Sequence, residues 1–185
     1  MTAEIMSAAE GSMQKALDNL EEAFSGVRTG RANAMMLDKV RVDYYGQPTP
    51  VNQLAAIKVP DAHLIVIEPW DKGILRGIEQ AILASDLGIT PSNDGSVIRL
   101  PIPALTEERR RELVKQCRTF SEEARIAIRN ARRDANAKID RSKKDAEIPE
   151  DEAHRAEAQI QKLTDTYVAK VEELFKKKEA EVMEI

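Results

Sequence analysis

The apolar residues of this chain recur at helical spacing in three long stretches, with steps that alternate between three and four residues. Such spacing predicts amphipathic helices that each pack against other helices along one face. The second stretch runs from residue 106 to residue 147 without a glycine or a proline, so it predicts one long helix. The predicted buried positions are Ala9, Met13, Ala16, Leu20, Ala23 and Val27 in the first stretch, Leu113, Cys117, Phe120, Ala124, Ile128, Ala131, Ala135 and Ile139 in the second, and Ala153, Ala156, Ile160, Leu163, Tyr167, Val171 and Leu174 in the third.

The ends of these helices are marked by residues that cap or interrupt a helix. Gly26 and Gly30 are expected to end the first helix, and Thr106 is a suitable N-cap for the second. Pro149 keeps the residue before it out of the helical region, so it separates the second helix from the third. At 1.5 Å per residue the second helix would be roughly 60 Å long. Because few residues join it to the third helix, these two are predicted to lie antiparallel.

Residues between Gly30 and Leu105 have a different pattern, in which short apolar runs alternate with segments rich in glycine and proline. This pattern is typical of short strands joined by turns. A helix is predicted near residues 74–82, and the segments GQPTP, PDA and PSNDGS are predicted to be turns. The predicted strands are Lys39–Tyr45, Leu54–Val59, Leu64–Glu68 and Val97–Leu100.

The order of these elements predicts an α+β protein of two domains. Residues 1–29 and 106–185 would form a long three-helix antiparallel bundle. Residues 31–104 would form a small mixed α/β domain, of β/α/β type, inserted between the first and second helices. Two chain crossings, near residues 30 and 105, would join the domains and could act as a hinge.

Composition and charge narrow the class of protein. Charged residues make up 32% of the chain and aromatic residues 4%, which is typical of long solvated helices. The single cysteine, Cys117, excludes an internal disulfide, and its apolar surroundings favour a buried structural thiol. No apolar window approaches the length of a membrane span, and the N-terminal segment lacks the pattern of a signal peptide. We therefore expect a soluble cytoplasmic protein with no membrane partner, and a monomer is assumed.

Recognisable motifs for catalysis or cofactor binding are missing from the sequence. The two histidines, His63 and His154, fall in different predicted domains and have no cysteine partner, unlike a metal site or a Cys/His nucleophile. The chain has no glycine-rich loop of the kind that binds a nucleotide phosphate. Trp70 could be a contact residue, but a lone tryptophan in a small domain favours packing in or beside the core. We therefore expect neither an enzyme nor a cofactor.

Charge is distributed unevenly along the chain. Residues 106–145 contain thirteen Lys/Arg and eight Asp/Glu, whereas the remaining residues contain fifteen Lys/Arg and twenty-four Asp/Glu. Arg129, Arg132 and Arg133 share one sector of the predicted second helix, and none has an acidic residue three or four positions away. We therefore expect no acid of the same helix to pair with them. Three further arginines continue the row of Arg132 at seven-residue intervals: Arg125, Arg118 and Arg111.

Two interpretations of these three arginines remain open. Acidic residues of a neighbouring helix could pair with them, and Glu21, Glu22 and Glu157 are candidates. Alternatively, they bind an anionic partner, because guanidinium groups suit phosphate and both Asn130 and Asn136 could add hydrogen bonds. One basic strip on an acidic protein fits a single structured RNA surface better than general nucleic-acid binding. The alternatives are a helical-bundle interaction module that binds protein partners through its acidic faces and pairs its arginines internally, and a nucleic-acid chaperone of broad specificity.

Several long segments resemble the bacterial ribosome recycling factor family. These are VRTGRAN, LDKVRVDYYGQPTPVNQLA, SDLGITPSNDGSVIRLPIPALTEERRRELVK, RNARRDANAKI and the closing EAEVMEI, in the family's order and over essentially the full length. The sequence departs from the family at Ala34, where proline is common, and at Thr90, where asparagine is usual. The resemblance implies an L-shaped protein in which a three-helix bundle carries an inserted small domain.

The resemblance also implies a function. Similar proteins bind the post-termination ribosome around the A and P sites of the large subunit. Together with elongation factor G, and helped by initiation factor 3, they split it into subunits and free mRNA and tRNA. Because the partner hydrolyses GTP, this chain would be a mechanical adaptor without a cofactor. The positions that match rRNA-contacting arginines are Arg132, Arg129, Arg133, Arg110, Arg28 and Arg31, and the implied hinge positions are Gly30, Arg31, Leu105 and Thr106.

Overall fold

A computed structural model describes residues 1–184, which form two compact units. The first unit comprises Met1–Thr29 together with the chain from Thr106 onward, and the second comprises Gly30–Leu105. Long helices make up the first unit, whereas the second contains one α-helix and antiparallel strands, so the expected α+β class is confirmed. The α-helices are α1 (Thr2–Ser25), α2 (Leu75–Ala84), α3 (Glu107–Lys144) and α4 (Glu150–Met183).

The first unit is a bundle of α1, α3 and α4. The contact of Arg125 with Glu172 and the contact of Arg132 with Gln161 show that α3 and α4 run in opposite directions. The start of α1 meets the last turn of α3 through a hydrogen bond, so α1 is antiparallel to α3 as well. Thr106 caps α3 by accepting a hydrogen bond from the backbone N–H of Arg109 at 3.1 Å.

The buried positions of the bundle follow the true helical repeat, which differs from the predicted alternation of three and four. Strict alternation assumes 3.5 residues per turn, whereas an α-helix has 3.6, so the contact line drifts by about 20° per heptad. Each helix therefore takes two successive steps of four at some point, and the core moves over by one residue. The buried residues Phe24, Ser121, Thr164 and Phe175 replace the predicted Ala23, Phe120, Leu163 and Leu174, which are only partly buried.

Two of these replacements put a hydroxyl group in the core. Ser121 donates a hydrogen bond to the carbonyl of Cys117 at 2.9 Å, and Thr164 donates to the carbonyl of Ile160 at 2.8 Å. Because each hydroxyl is satisfied one turn back on its own helix, its burial leaves no polar group without a partner. Cys117 is fully buried, as expected, and burial raises the pKa of its thiol.

The second unit contains two antiparallel sheets. A hairpin of two strands stands apart from a four-stranded sheet with the order β3-β4-β6-β5. The core is aliphatic, and α2 contributes Leu75, Ile78 and Ile82 to it. The strands are β1 (Arg41–Tyr44), β2 (Gln47–Pro50), β3 (Ala55–Asp61), β4 (Leu64–Pro69), β5 (Ser92–Asn93) and β6 (Ile98–Pro101).

The segment GQPTP was predicted to be a turn, but Gln47–Pro50 forms strand β2. The turn lies earlier, at Tyr45 and Gly46, whose φ angles are 49° and 82°. Positive φ at both positions of a two-residue turn matches the right-handed twist of a hairpin. Because β2 pairs with β1 alone, its outer edge tolerates the two prolines. The predicted PDA turn also begins late, since Pro60–Asp61 still belongs to β3.

Trp70 lies on the surface of the second unit, with 70% of its area exposed. The expectation that it packs in or beside the core is therefore wrong. The reason is that aliphatic residues already fill the core, and β4 ends at Pro69 directly before the tryptophan. Within residues 1–184, none of the helices is both long enough and apolar enough to cross a membrane.

Candidate functional site

A group of three arginines lies together on α3. Arg129, Arg132 and Arg133 line an open groove of about 270 Å³ together with Ile126 and Asn130. Four of these residues share one side of α3, because Ile126, Arg129, Asn130 and Arg133 follow the spacing i, i+3, i+4, i+7, and Arg132 flanks them on the side toward α4. These five residues are called the arginine groove below. Ile126 is 48% exposed, so the groove combines cationic groups with one apolar side chain.

Arg129 has an acidic partner on its own helix. Its Nη2 lies 2.7 Å from Oε1 of Glu122, seven positions earlier. The expectation that no acid of the helix would pair with it is therefore wrong, because only spacings of three and four were considered. Residues seven apart also lie on one side of a helix, and two long side chains span the roughly 10 Å between them.

Arg125 is held by two carboxylates. Glu122 lies 3.1 Å away on α3, and Glu172 lies 2.8 Å away on α4. The hydrogen bond from Arg125, followed by that from Arg129, lowers the pKa of Glu122 and keeps this carboxyl ionised. The charge of Arg125 is therefore compensated inside the protein, and its side chain is only 22% exposed.

Arg132 and Arg133 are oriented by side-chain amides. Arg132 Nη1 donates to Oε1 of Gln161 on α4 at 3.2 Å, and Arg133 Nη2 donates to Oδ1 of Asn130, one turn back on α3. In residues 1–184, no carboxylate forms an ion pair with either guanidinium group. Both arginines therefore keep a net positive charge that is available to an external anion.

Pairing with acids of neighbouring helices was one of the two interpretations left open by the sequence. In the described part of the chain, none of the three candidate acids pairs with Arg129, Arg132 or Arg133. Glu157 instead lies 3.7 Å from the imidazole of His154. This favours the interpretation in which the arginine groove binds an external anion.

The other candidate arginines lie outside the arginine groove. Arg110 is in the first turn of α3, so it lies roughly 33 Å along the helix from Arg132. Its Nη1 donates to the carbonyl of Met183 at the end of α4 at 3.4 Å, whereas its buried Nε has no hydrogen-bond partner within residues 1–184. Arg28 is exposed just after α1, and Arg31 belongs to the second unit.

The candidate hinge positions lie at the boundary between the units. Gly30 has a φ of 73°, and a Cβ added to it would lie 2.8 Å from Cγ of Leu105. The first and last residues of the second unit therefore pack against each other, and only glycine fits at residue 30 without strain. Thr106, the next residue of the chain, is the N-cap of α3.

Gln161 was not identified from the sequence, because only acidic partners were considered for the arginines. The predicted antiparallel arrangement of the second and third helices could have identified it, because this arrangement brings residue 161 opposite residue 132. Within residues 1–184 no three His, Cys, Asp or Glu residues are arranged to hold a metal ion.

Comparison with known proteins assigns the chain to one family. The family model described as "Ribosome recycling factor" matches residues 20–183. The chain is 54% identical to the ribosome-recycling factor of Geobacillus thermodenitrificans over 185 residues, covering 100% of both chains. It is 56% identical to that of Carboxydothermus hydrogenoformans over the same length and with the same coverage.

Solved structures give the same result. The solution structure of a ribosome recycling factor matches with a TM-score of 0.75 and 40% identity, covering 100% of this chain and 98% of the other. A second match is the T. thermophilus ribosome recycling factor, which is described with E. coli elongation factor G bound to the E. coli post-termination complex. Its TM-score is 0.63 and its identity 45%, with 99% of both chains covered.

Proposed function

Because this chain belongs to the ribosome recycling factor family, we propose that it binds the post-termination ribosome and, with elongation factor G, splits it into subunits. Elongation factor G binds and hydrolyses GTP. The splitting releases mRNA and tRNA, and initiation factor 3 acts in concert with the two proteins. The observation that carries this proposal is 54% identity over the whole chain to a ribosome-recycling factor. The site of action is then the cytoplasm, and the chain itself performs no catalysis.

The arginine groove is the proposed contact with rRNA of the large subunit. Two features support it: the uncompensated charges of Arg132 and Arg133, and the fixed orientation of both guanidinium groups. Planar guanidinium groups can bind phosphate oxygens through two parallel hydrogen bonds. Arg129 would exchange Glu122 for a phosphate on docking. The full set of proposed rRNA-binding residues is Arg132, Arg129, Arg133, Arg110, Arg28 and Arg31.

A hinge is proposed at the two chain crossings, which involve Gly30, Arg31, Leu105 and Thr106. The boundary between the compact units supports it, because the chain changes unit at these two points and nowhere else in residues 1–184. In this proposal the bundle stays on the rRNA while elongation factor G displaces the second unit. The resulting force would act on a bridge between the ribosomal subunits.

Light scattering of purified post-termination ribosomes tests this function. We expect a fall in scattering that requires this protein, elongation factor G and GTP together. Arg132→Ala should abolish the fall and sharply reduce ribosome binding, while its thermal unfolding stays close to that of the wild-type protein because no ion pair is lost. If scattering stays constant with a GTPase that is proven on a known recycling factor, the proposal is wrong.

A further inference from the structure

Arg132 belongs to a short chain of hydrogen bonds that continues along α4. Its Nη1 donates to Oε1 of Gln161 at 3.2 Å, and Nε2 of Gln161 donates to Oδ1 of Asp165 at 2.9 Å. Only the amide nitrogen can donate to a carboxylate, and only the amide oxygen can accept from a guanidinium group. Asp165 therefore fixes which end of the Gln161 amide faces Arg132.

Arg125, on the same side of α3 as Arg132, shows how an arginine is held when its partner on α4 is an acid. Arg125 lies seven positions before Arg132 and also reaches α4, but it meets the carboxylate of Glu172 at 2.8 Å. Glu122 adds a second carboxylate at 3.1 Å. An external phosphate would have to displace both acids before it could bind this arginine, whereas at Arg132 it meets no competing charge.

The neutral amide has a second consequence for Arg132. A guanidinium group has five N–H donors, and the amide oxygen accepts from Nη1 alone. Free arginine side chains lose rotamer freedom when they bind, so an arginine that is already oriented loses less. The amide therefore holds the group in place while its other N–H donors and its full charge remain available.

Arg133 repeats this arrangement on a smaller scale. Its Nη2 donates to the amide oxygen of Asn130, and no carboxylate within residues 1–184 pairs with it. The two arginines with uncompensated charge in the arginine groove are thus both supported by amides, whereas Arg125 and Arg129 are supported by acids.

We propose that Gln161 is a positioning residue for RNA binding: it orients Arg132 toward an RNA phosphate without neutralising its charge. This inference rests on the proposed function, because it takes the ribosome as the source of the phosphate. Gln161 acts through Arg132 and is not itself a contact to RNA. Its amide character is therefore the property on which binding depends.

Gln161→Glu tests the inference, because it keeps the size of the side chain and adds one negative charge beside Arg132. Gln159→Glu is the matched control: it adds the same charge to α4, at an exposed position about 200° around the helix. Binding to purified ribosomes is measured for both over a range of salt concentrations. We expect Gln161→Glu to bind about tenfold more weakly than Gln159→Glu, as for the loss of one charged hydrogen bond. Its salt dependence should also be reduced by about one unit of slope.

Gln161→Met separates orientation from charge, because methionine is of similar length but accepts no comparable hydrogen bond. We expect it to bind about threefold more weakly than the wild-type protein, as for the cost of immobilising one free side chain on binding. Its salt dependence should not change, because Arg132 keeps its charge. Wild-type affinity in Gln161→Met would overturn the orienting role of the amide.

The same comparison in an Arg132→Ala background shows whether Gln161 acts through this arginine. Measured at low salt, where binding is strongest, Gln161→Glu and Gln159→Glu should then have equal affinities. Equal affinities in the wild-type background, or a difference that persists without Arg132, would overturn the inference while leaving the proposed function intact. If the wild-type protein does not bind ribosomes, both the proposed function and this inference are wrong.

Discussion

An arginine can bind an external anion only if its own protein leaves the charge uncompensated. The sequence predicted correctly that no acid of α3 pairs with Arg132 or Arg133, was wrong for Arg129, and left pairing with acids of a neighbouring helix open. A pattern of spacings three and four cannot detect Glu122, because long side chains reach over two turns. It also cannot detect a neutral partner such as Gln161, which depends on how two helices are paired.

Single glycines give a matched pair of predictions with opposite signs. Gly11 lies inside α1, and a Cβ added to it would meet nothing within 4 Å apart from the adjacent backbone of its own helix, so Gly11→Ala should stabilise the bundle by about 0.5–1 kcal/mol. Gly30 has a φ of 73° and would clash with Leu105, so Gly30→Ala should destabilise the second unit by about 1–3 kcal/mol. Urea unfolding of both variants measures the two changes. A stabilising Gly30→Ala would contradict the conformation described for this residue.

Asp94 gives the second unit a specific pH dependence. Its carboxylate accepts hydrogen bonds from the backbone N–H groups of Val97 and Ser96 and from Arg99, which lower its pKa from 3.8 to about 2. Because the folded protein favours the ionised form, this stabilisation is complete well above pH 3.8 and is lost as the pH falls through about 2.

The test compares thermal midpoints of the wild-type protein and Asp94→Asn between pH 5 and about pH 2. The difference between them should be largest near pH 5 and shrink toward pH 2, because the wild-type carboxyl, with a pKa of about 2, then becomes neutral like the amide of Asn. Other carboxyl groups titrate in both proteins and cancel in the comparison. A difference that does not change with pH would show that the Asp94 carboxylate has no such role.

At the scale of elements, the helices were predictable because their apolar repeats are long and their ends carry breakers. The buried positions were predicted less accurately. A repeat of 3.5 residues per turn departs further from the true helical repeat with each turn, and α3 and α4 are long. Strand β2 was missed because proline normally argues against a strand, and only its edge position permits it. Trp70 shows the same limit, because composition does not reveal which residues already fill a core.

Substitutions of two isoleucines on α3 test which face of this helix is buried in the bundle. Ile128 is fully buried, so Ile128→Ala should lower the free energy of unfolding by about 2–5 kcal/mol through loss of burial and a cavity. Ile126 is 48% exposed, and Ile126→Ala should change it by less than about 0.5 kcal/mol. Chemical denaturation followed by circular dichroism measures both. Similar losses for the two variants would be inconsistent with the described register of α3.

In the whole molecule, the second unit is formed by one continuous segment of the chain, whereas the bundle is formed by two separate segments. Gly30–Leu105 is continuous in sequence, its core consists only of its own residues, and its first and last residues are in contact. We therefore expect a fragment of residues 30–105 to fold by itself. Dispersed amide signals and a cooperative thermal transition of the fragment would confirm this. A fragment that stays disordered would mean that the bundle contributes to the stability of the second unit.

The bundle, in contrast, is assembled from two separate parts of the chain, and this sets an order of events during synthesis. The second unit can be completed while α3 is still being made, because domains fold as their chain emerges. The apolar face of α1, which includes Met13, Leu17 and Leu20, has no partner in the bundle until α3 follows. During translation, α1 is therefore the segment that exposes apolar surface for longest and offers the natural binding site for a nascent-chain chaperone.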